Sequence, residues 1–349
     1  MSYFRKAIDA LEAYVPGYQP GDEGVIKLNT NENAFPPSSK VFEALRSYDA
    51  ALLRRYPAPL GDDFRCAAAE LHGLDASNII CTNGGDDLLT ICMRAFCDAS
   101  RPVCWPTPTY SLYDELAALQ ECAVKTVPYK PETVTGELAK IAAPLTILCN
   151  PNAPTADFIC PQTVAKLAAN LVGKGVLLID EAYVDFAPAD CSQLVTAFDN
   201  IVILRSMSKG YSLAGIRFGY GIASASLMEG LIKVKDSYNV DRLAVELATA
   251  AIKDRAYFEQ TRDEIKRQRS LLTAGLRELG FELGQSSTNF LLARHESAAE
   301  IYKLLREENI IVRYFNLRGL EDKLRITVGS EQENKSLLGA LGKILAKLN

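Results

Sequence analysis

The residues best equipped for chemistry are Ser206-Met207-Ser208-Lys209-Gly210, with Arg217 further along. They follow Ile201-Val202-Ile203-Leu204, a run with the length and β-branched character of a buried strand. A lysine at the end of such a strand acts as an amine nucleophile when it is desolvated or set near another cation. The hydroxyls of Ser206 and Ser208 and the guanidinium fork of Arg217 suit a phosphate, which takes several donors. An amine beside a phosphate cradle is what a phosphorylated aldehyde cofactor requires. The same residue types also make an ordinary strand-to-loop connection with a surface lysine, so this stretch alone leaves both readings open.

Other predicted strands end in polar residues too. Thr82-Asn83-Gly84-Gly85-Asp86-Asp87 joins a strand to a helix. Its glycines allow a sharp turn, and the free N–H groups of the helix start make an anion site; a plain N-cap by Asp86 is the other reading. Asp180-Glu181-Ala182-Tyr183 closes the apolar run that starts at Val176. A carboxylate there lies where open α/β sheets bind ligands. It could pair with a protonated ring nitrogen of a cofactor, with Tyr183 reaching a phenolate oxygen, or simply end a strand in an acidic loop. Asn150-Pro151-Asn152-Ala153-Pro154-Thr155 and Pro106-Thr107-Pro108-Thr109-Tyr110 follow two further strands. Tyr110 either stacks on a ring or fills the core.

These ends must be held by a sheet. Strands are predicted over 79–82, 102–105, 124–127, 145–149, 176–179, 201–204 and 218–222, with helices over 86–96, 111–119 and 161–171. The alternation implies an α/β fold with a mostly parallel sheet covered on both faces. Upstream, a turn or extended segment is predicted over 14–20, a strand over 25–28, and helices over 39–54 and 62–71. After about 240 the pattern changes to long helices and a few short strands, which implies a smaller α+β domain. The expected division is a large domain over 51–240, with 1–50 and 241–349 forming an N-terminal arm and the small domain.

The composition narrows the class. The chain has 349 residues, 48% hydrophobic and 23% charged, and a net charge of −5. Without a dense basic block, a nucleic-acid surface is disfavoured. No apolar run is long enough for a membrane span, and no apolar segment follows the first charges as in a signal peptide. Nine cysteines without CxxC spacing read as small buried hydrophobes in a reducing cytoplasm. Of the two histidines, His72 is read as a cation at a helix C-terminus and His295 as exposed. No metal site is expected, and acid–base work falls to lysine, tyrosine or carboxylates.

In order, the chain carries Asn31-Glu32-Asn33, Tyr56-Pro57, Gly84-Gly85-Asp86-Asp87, Pro108-Thr109-Tyr110, Asn150 to Thr155, Asp180-Glu181-Ala182-Tyr183, Ser208-Lys209, Arg217 and Leu324-Arg325-Ile326-Thr327-Val328-Gly329. Taken together, and over nearly the whole chain, this resembles the fold-type I pyridoxal 5′-phosphate (PLP) aminotransferases, specifically the histidinol-phosphate aminotransferase family. The resemblance implies that Lys209 carries the cofactor and shuttles the proton. It implies that Asp180 holds the pyridine nitrogen, Tyr183 the ring hydroxyl, and Tyr110 the ring face. Gly85, Asp86, Ser206, Ser208 and Arg217 would hold the phosphate, joined by Tyr56 from the neighbouring subunit of a homodimer with shared active sites. Arg325 would fork the substrate carboxylate, with Tyr18, Asn31 and Arg313 also on the substrate side. The substrates implied are a small-molecule amino donor, histidinol phosphate, and a 2-oxo acid acceptor, 2-oxoglutarate.

This chain departs from the family pattern at Ala153, where an asparagine usually touches the ring hydroxyl, and at Ala156, where a glycine is usual. Asn152 could substitute, or Tyr183 could carry that contact alone. Threonine-phosphate decarboxylase and aromatic aminotransferases share the resemblance. Outside that group, Gly219-Tyr220-Gly221-Ile222-Ala223-Ser224 is an imperfect dinucleotide fingerprint, but its glycines fall within a predicted strand. A noncatalytic binding protein on the same scaffold is a further alternative, opposed by Lys209 and Asp180.

Overall fold

The computed structural model describes residues 2–11, 17–20 and 24–348; residues 14–16 of the expected turn lie outside them. The N-terminal part holds α1 (Lys6–Asp9), β1 (Ile26–Lys27), α2 (Ser39–Ser47) and α3 (Asp62–His72). The helix expected over 39–54 stops at Ser47, and a separate 3₁₀ turn, Ala50–Arg54, follows, with Asp49 accepting from the Ala51 N–H. Strands and helices then alternate: β2 (Ile79–Thr82), α4 (Gly85–Phe96), β3 (Val103–Thr107), α5 (Leu112–Gln120), β4 (Val124–Pro128), α6 (Val134–Ile141), β5 (Leu145–Cys149), α7 (Pro161–Leu171) and β6 (Val176–Asp180). Next come β7 (Ile201–Ser206), β8 (Gly219–Ala223), α8 (Ala225–Val234), α9 (Arg242–Lys253) and α10 (Arg255–Glu278). The remainder is β9 (Glu282–Leu283), β10 (Phe290–Arg294), α11 (Ala298–Glu307), β11 (Ile310–Ile311), β12 (Arg313–Tyr314), β13 (Lys323–Thr327) and α12 (Glu331–Leu348).

The large sheet runs in the order β2-β8-β7-β6-β5-β3-β4. Every pairing is parallel except the two made by β8. Parallel strands covered by helices on both faces must be apolar on both faces, and β5, β6 and β7 are. Leu177, Ile179, Ile201 and Ile203 face one core; Leu178, Val202 and Leu204 face the other with Trp105 and Tyr113. The glycines of the imperfect fingerprint serve packing. A Cβ at Gly221 would lie 2.9 Å from Ile80 and Leu88 side chains, so β8 can sit against α4 only without one.

Because β2, β3, β5, β6 and β7 are mutually parallel, Thr82, Thr107, Cys149, Asp180 and Ser206 all end at one edge. The first core also takes in Val41 of α2 and the Ala244, Leu247, Ala248, Ala251 and Ile252 face of α9, although both helices lie outside 51–240. A separate core, with Leu28, Leu291, Ile326 and Leu341, underlies the antiparallel sheet β12-β13-β10-β9 and the β1-β11 pair. Among the described residues no helix is long and apolar enough to cross a membrane.

His72 is not the cation expected. It ends α3, but it is buried with its ring nitrogen 3.0 Å from the Tyr220 hydroxyl. Burial, helped by the Arg205 cation, pushes its pKa down to about 3, so the ring is neutral and gives the helix dipole nothing. His295 is half-buried rather than exposed, its ring 4.9 Å from that of Phe281.

Candidate active site

Five loops meet at the strand edge, and those after β2 and β7 build an anion cup. Gly84 is the N-cap of α4, with φ +78°, a left-handed conformation that favours glycine. A Cβ there would lie 2.6 Å from Arg217 Nη2. Among the described residues no side chain caps α4, so its first N–H groups are left for an anion. The reading of Asp86 as the cap is corrected: it lies inside the helix, one carboxylate oxygen 3.7 Å from Arg217 Nη2 and the other 3.4 Å from the Tyr110 hydroxyl. Arg217 is itself left-handed, at φ +54°, and its Nη1 donates to Ala214 O at 3.2 Å and Ser208 Oγ at 3.5 Å. The Ser208 N–H donates to Ser206 Oγ at 3.2 Å. Gly85, Asp86, Ser206, Ser208 and Arg217 are thus brought together.

At the end of β6, Asp180 is buried and both carboxylate oxygens are held. Oδ2 accepts from the Tyr113 hydroxyl at 2.6 Å and Oδ1 from the Ala182 N–H at 3.1 Å. Burial raises its pKa, opposed by those two bonds. Tyr183 accepts from Asn31 Nδ2 at 2.9 Å, and its ring meets Phe290 edge-on at 5.1 Å. That leaves the phenol proton to donate. Asn152 is different. Nδ2 donates to Pro108 O and Thr155 Oγ1, both at 3.0 Å, and Oδ1 accepts from Thr109 at 2.9 Å. With both amide hydrogens engaged, Asn152 clamps the loops after β3 and β5 and has none left for a phenolate.

Lys209 stands between these groups and the small domain. Its Nζ donates to Thr30 O at 3.0 Å and lies 5.8 Å from the centre of the Tyr183 ring. Burial first, then the cations Arg325, Arg217 and Lys27, pull its pKa down to about 8, with Glu32 opposing. Asn33 Nδ2 holds the Lys209 carbonyl at 2.8 Å. Thr30 and Asn33 went unread as site residues, although Thr30 precedes and Asn33 closes the Asn31-Glu32-Asn33 motif.

The small domain supplies the arginines. Arg313 and Arg325 face each other across β12 and β13. Both guanidiniums lie over the Phe315 ring, 5.5 and 5.4 Å from its centre, and Arg325 Nη2 donates to Asn29 O at 2.9 Å. Tyr18 is exposed, with the Arg306 guanidinium 5.2 Å above its ring. Asn31 points its side chain at Tyr183 and Thr327. Tyr56 stands apart on the surface, 76% exposed, its ring stacked on Tyr238 at 4.5 Å.

Two further supports were not read from the sequence. Tyr113 resembled any apolar-face aromatic of a helix. Arg205 resembled the start of a loop, yet it is buried, donating to Glu181 at 3.0 Å and Asp185 at 3.3 Å. A Cβ on Gly210 would overlap the Asp185 carboxylate, so this cluster packs the loop after β6 against the one after β7. Burial pushes the Glu181 pKa up to about 7 against the pull of Arg205.

Known proteins resemble this chain along nearly its whole length. The pattern of the family Aminotransferase class I and II matches residues 23–341. Histidinol-phosphate aminotransferase 1 of Nostoc sp. is 44% identical over 349 residues, 99% of this chain and 98% of that protein. The crystal structure of histidinol-phosphate aminotransferase from Sinorhizobium meliloti in complex with pyridoxal-5'-phosphate superposes with a TM-score of 0.91 at 26% identity, covering 100% of this chain and 99% of that one. L-threonine-O-3-phosphate decarboxylase from Porphyromonas gingivalis gives a TM-score of 0.81 at 25% identity, covering 92% of this chain and 100% of that one. With motif order, sheet topology and full-length similarity in accord, the chain belongs to the class I and II aminotransferases, in the histidinol-phosphate aminotransferase family.

Proposed function

We propose that this enzyme moves an amino group between histidinol phosphate and 2-oxoglutarate, giving imidazole acetol phosphate and glutamate, as part of histidine biosynthesis. The observation that carries the reading is the position of Lys209, a desolvated amine between an anion cup and two facing arginines.

The residues present fit PLP. The cup at Gly84 has room only without a Cβ and offers N–H groups and Arg217 to a phosphate. Asp180 is a buried carboxylate with its outer valences fixed. When bound, PLP supplies an aldehyde carbon and a ring that accepts electrons from substrate Cα. Lys209 would hold the cofactor at that carbon at rest, and once the substrate amine has displaced it, its freed Nζ would take and return the proton at substrate Cα. Asp180 would pair with the ring nitrogen, Tyr183 would donate to the ring hydroxyl, and Tyr110 would cover the ring. Gly85, Asp86, Ser206, Ser208 and Arg217 form the phosphate cup. Asn152 and Asn31 serve these contacts indirectly, by fixing loops and Tyr183.

On the substrate side, Arg325 forks the carboxylate of glutamate or 2-oxoglutarate. Arg313 and Tyr18 grip the distal phosphate or γ-carboxylate, which lets one pocket serve both half-reactions. Tyr56 acts from a second copy in a homodimer. Its exposure, and that of Phe42, Leu45, Leu53 and Tyr238, support a covered face. The enzyme works in the cytoplasm, a reading supported by nine free cysteines, seven of them buried.

A product assay tests the function. Histidinol phosphate with 2-oxoglutarate should yield glutamate, while threonine phosphate should release no CO₂. Release of CO₂ at a comparable rate would transfer the reading to the decarboxylase.

A further inference from the structure

Tyr113 belongs to α5 and is 0% exposed. Its neighbours make it more than filler. The hydroxyl donates to Asp180 Oδ2 at 2.6 Å, the shortest hydrogen bond made by that carboxylate. The ring lies edge-on to Tyr110 with centres 5.7 Å apart, and its centre is also 5.7 Å from that of Trp105. Tyr110 in turn reaches Asp86. One phenol therefore touches both the carboxylate placed for the ring nitrogen and the aromatic placed for the ring face.

We propose that Tyr113 is a positioning residue that holds Asp180 charged and aimed at the cofactor's ring nitrogen. Asp180 is walled off from water, and a buried carboxylate without donors drifts toward its neutral acid. The neutral acid cannot form an ion pair with a pyridinium. Among the described residues only two donors reach Asp180, and the Ala182 N–H is fixed by the backbone. Among the described residues the phenol is the one side chain that donates to Asp180 and so favours the anion. A phenol donates here without competing as a base, since burial and the adjacent Asp180 raise its own pKa well above the usual value. This inference rests on the proposed pairing of Asp180 with the ring nitrogen.

The test uses the full-length enzyme with PLP and with a deaza analogue whose ring nitrogen is replaced by carbon. Tyr113→Phe keeps the ring contacts with Trp105 and Tyr110, and a thermal melt checks that the fold survives. The variant should bind PLP about tenfold more weakly, the loss of one charge-assisted hydrogen bond. Its affinity for the deaza analogue should change less than about twofold. In an Asp180→Asn background the added Tyr113→Phe change should do nothing more. Equal weakening toward both cofactor forms, or additive losses in the two backgrounds, would show a merely structural tyrosine and overturn the inference. If Asp180→Asn impairs PLP binding and Tyr113→Phe does not, the inference alone falls. If Asp180→Asn leaves PLP affinity and turnover unchanged, the pairing of Asp180 fails and takes the role of Tyr113 with it.

Discussion

The two ends of this site are built on opposite principles. At the large-domain end the key side chains are already satisfied by protein. Asp180 has two donors, the Asn152 amide has three partners, and Arg205 holds two buried carboxylates. These groups hang from consecutive strand ends of one sheet. At the small-domain end, Arg313 and Arg325 stand directly opposite each other on β12 and β13. Like charges in that arrangement repel. The first end is set before anything binds, as a cofactor that must keep one orientation requires. The second places two guanidiniums side by side, which suits the proposed pocket that exchanges one anionic substrate for another.

The strongest test of the contrast removes the amine where the ends meet. Lys209→Ala should lower turnover by at least about three decades, because it removes both the amine that would hold the cofactor and the proposed base. Near-normal turnover of the purified variant would refute the assignment. The next test reads the ends against each other through stability. Arg205→Ala leaves buried carboxylates unpaired and should cost about 3–5 kcal/mol in urea unfolding. Arg313→Ala removes a facing like charge and should leave stability unchanged or raise it by about 0.2–1 kcal/mol. Matching losses for both variants would erase the distinction between a prebuilt end and a ligand-completed one.

How much of this was legible depended on whether a residue's role lay in its local pattern. The apolar runs of β5, β6 and β7 gave away the buried sheet, and their polar exits gave away the site. The reversed direction of β8 was not visible, since a buried run reads the same either way. Tyr113 lies in an amphipathic helix, where a catalytic support and a core aromatic have the same spacing. Arg205 continues a strand, and only the fold shows Glu181 and Asp185 waiting beside it. Asn152 had the right residue type, but its hydrogens go to Pro108 and Thr155, a fact of loop geometry. His72 showed its place at the helix end and hid its burial.

A smaller effect separates the two substrates. Histidinol phosphate lacks the α-carboxylate that glutamate carries. Arg325→Ala should therefore injure the glutamate half-reaction by about 1.5–3 kcal/mol, or roughly one to two decades in kcat/KM, and the histidinol-phosphate half-reaction less. Single-turnover traces of each half-reaction decide it. Equal losses would mean that Arg325 supports the fold or the cofactor, and the two-anion account of the pocket would go.

The smallest effect lies in the charge of Lys209, where the two ends communicate through space. Its pKa falls to about 8 because burial, then Arg325, Arg217 and Lys27, disfavour the ammonium, while Glu32 favours it. In the cofactor-free protein, acylation of Lys209 followed by peptide mapping should therefore rise through about pH 8. Removing a cation removes a cause of the depression, so Arg325→Ala should move the midpoint to higher pH. Glu32→Gln removes the opposing charge and should move it lower. The same shift has a stability sign. Between the folded value of about 8 and the unfolded 10.5, the unfolded chain binds more protons than the folded one. Stability should thus rise with pH across that window, and the slope should shrink in Arg325→Ala. A midpoint indifferent to both substitutions would leave burial as the whole cause. The small domain would then act on the amine only by covering it, and its arginines would matter to the substrate alone.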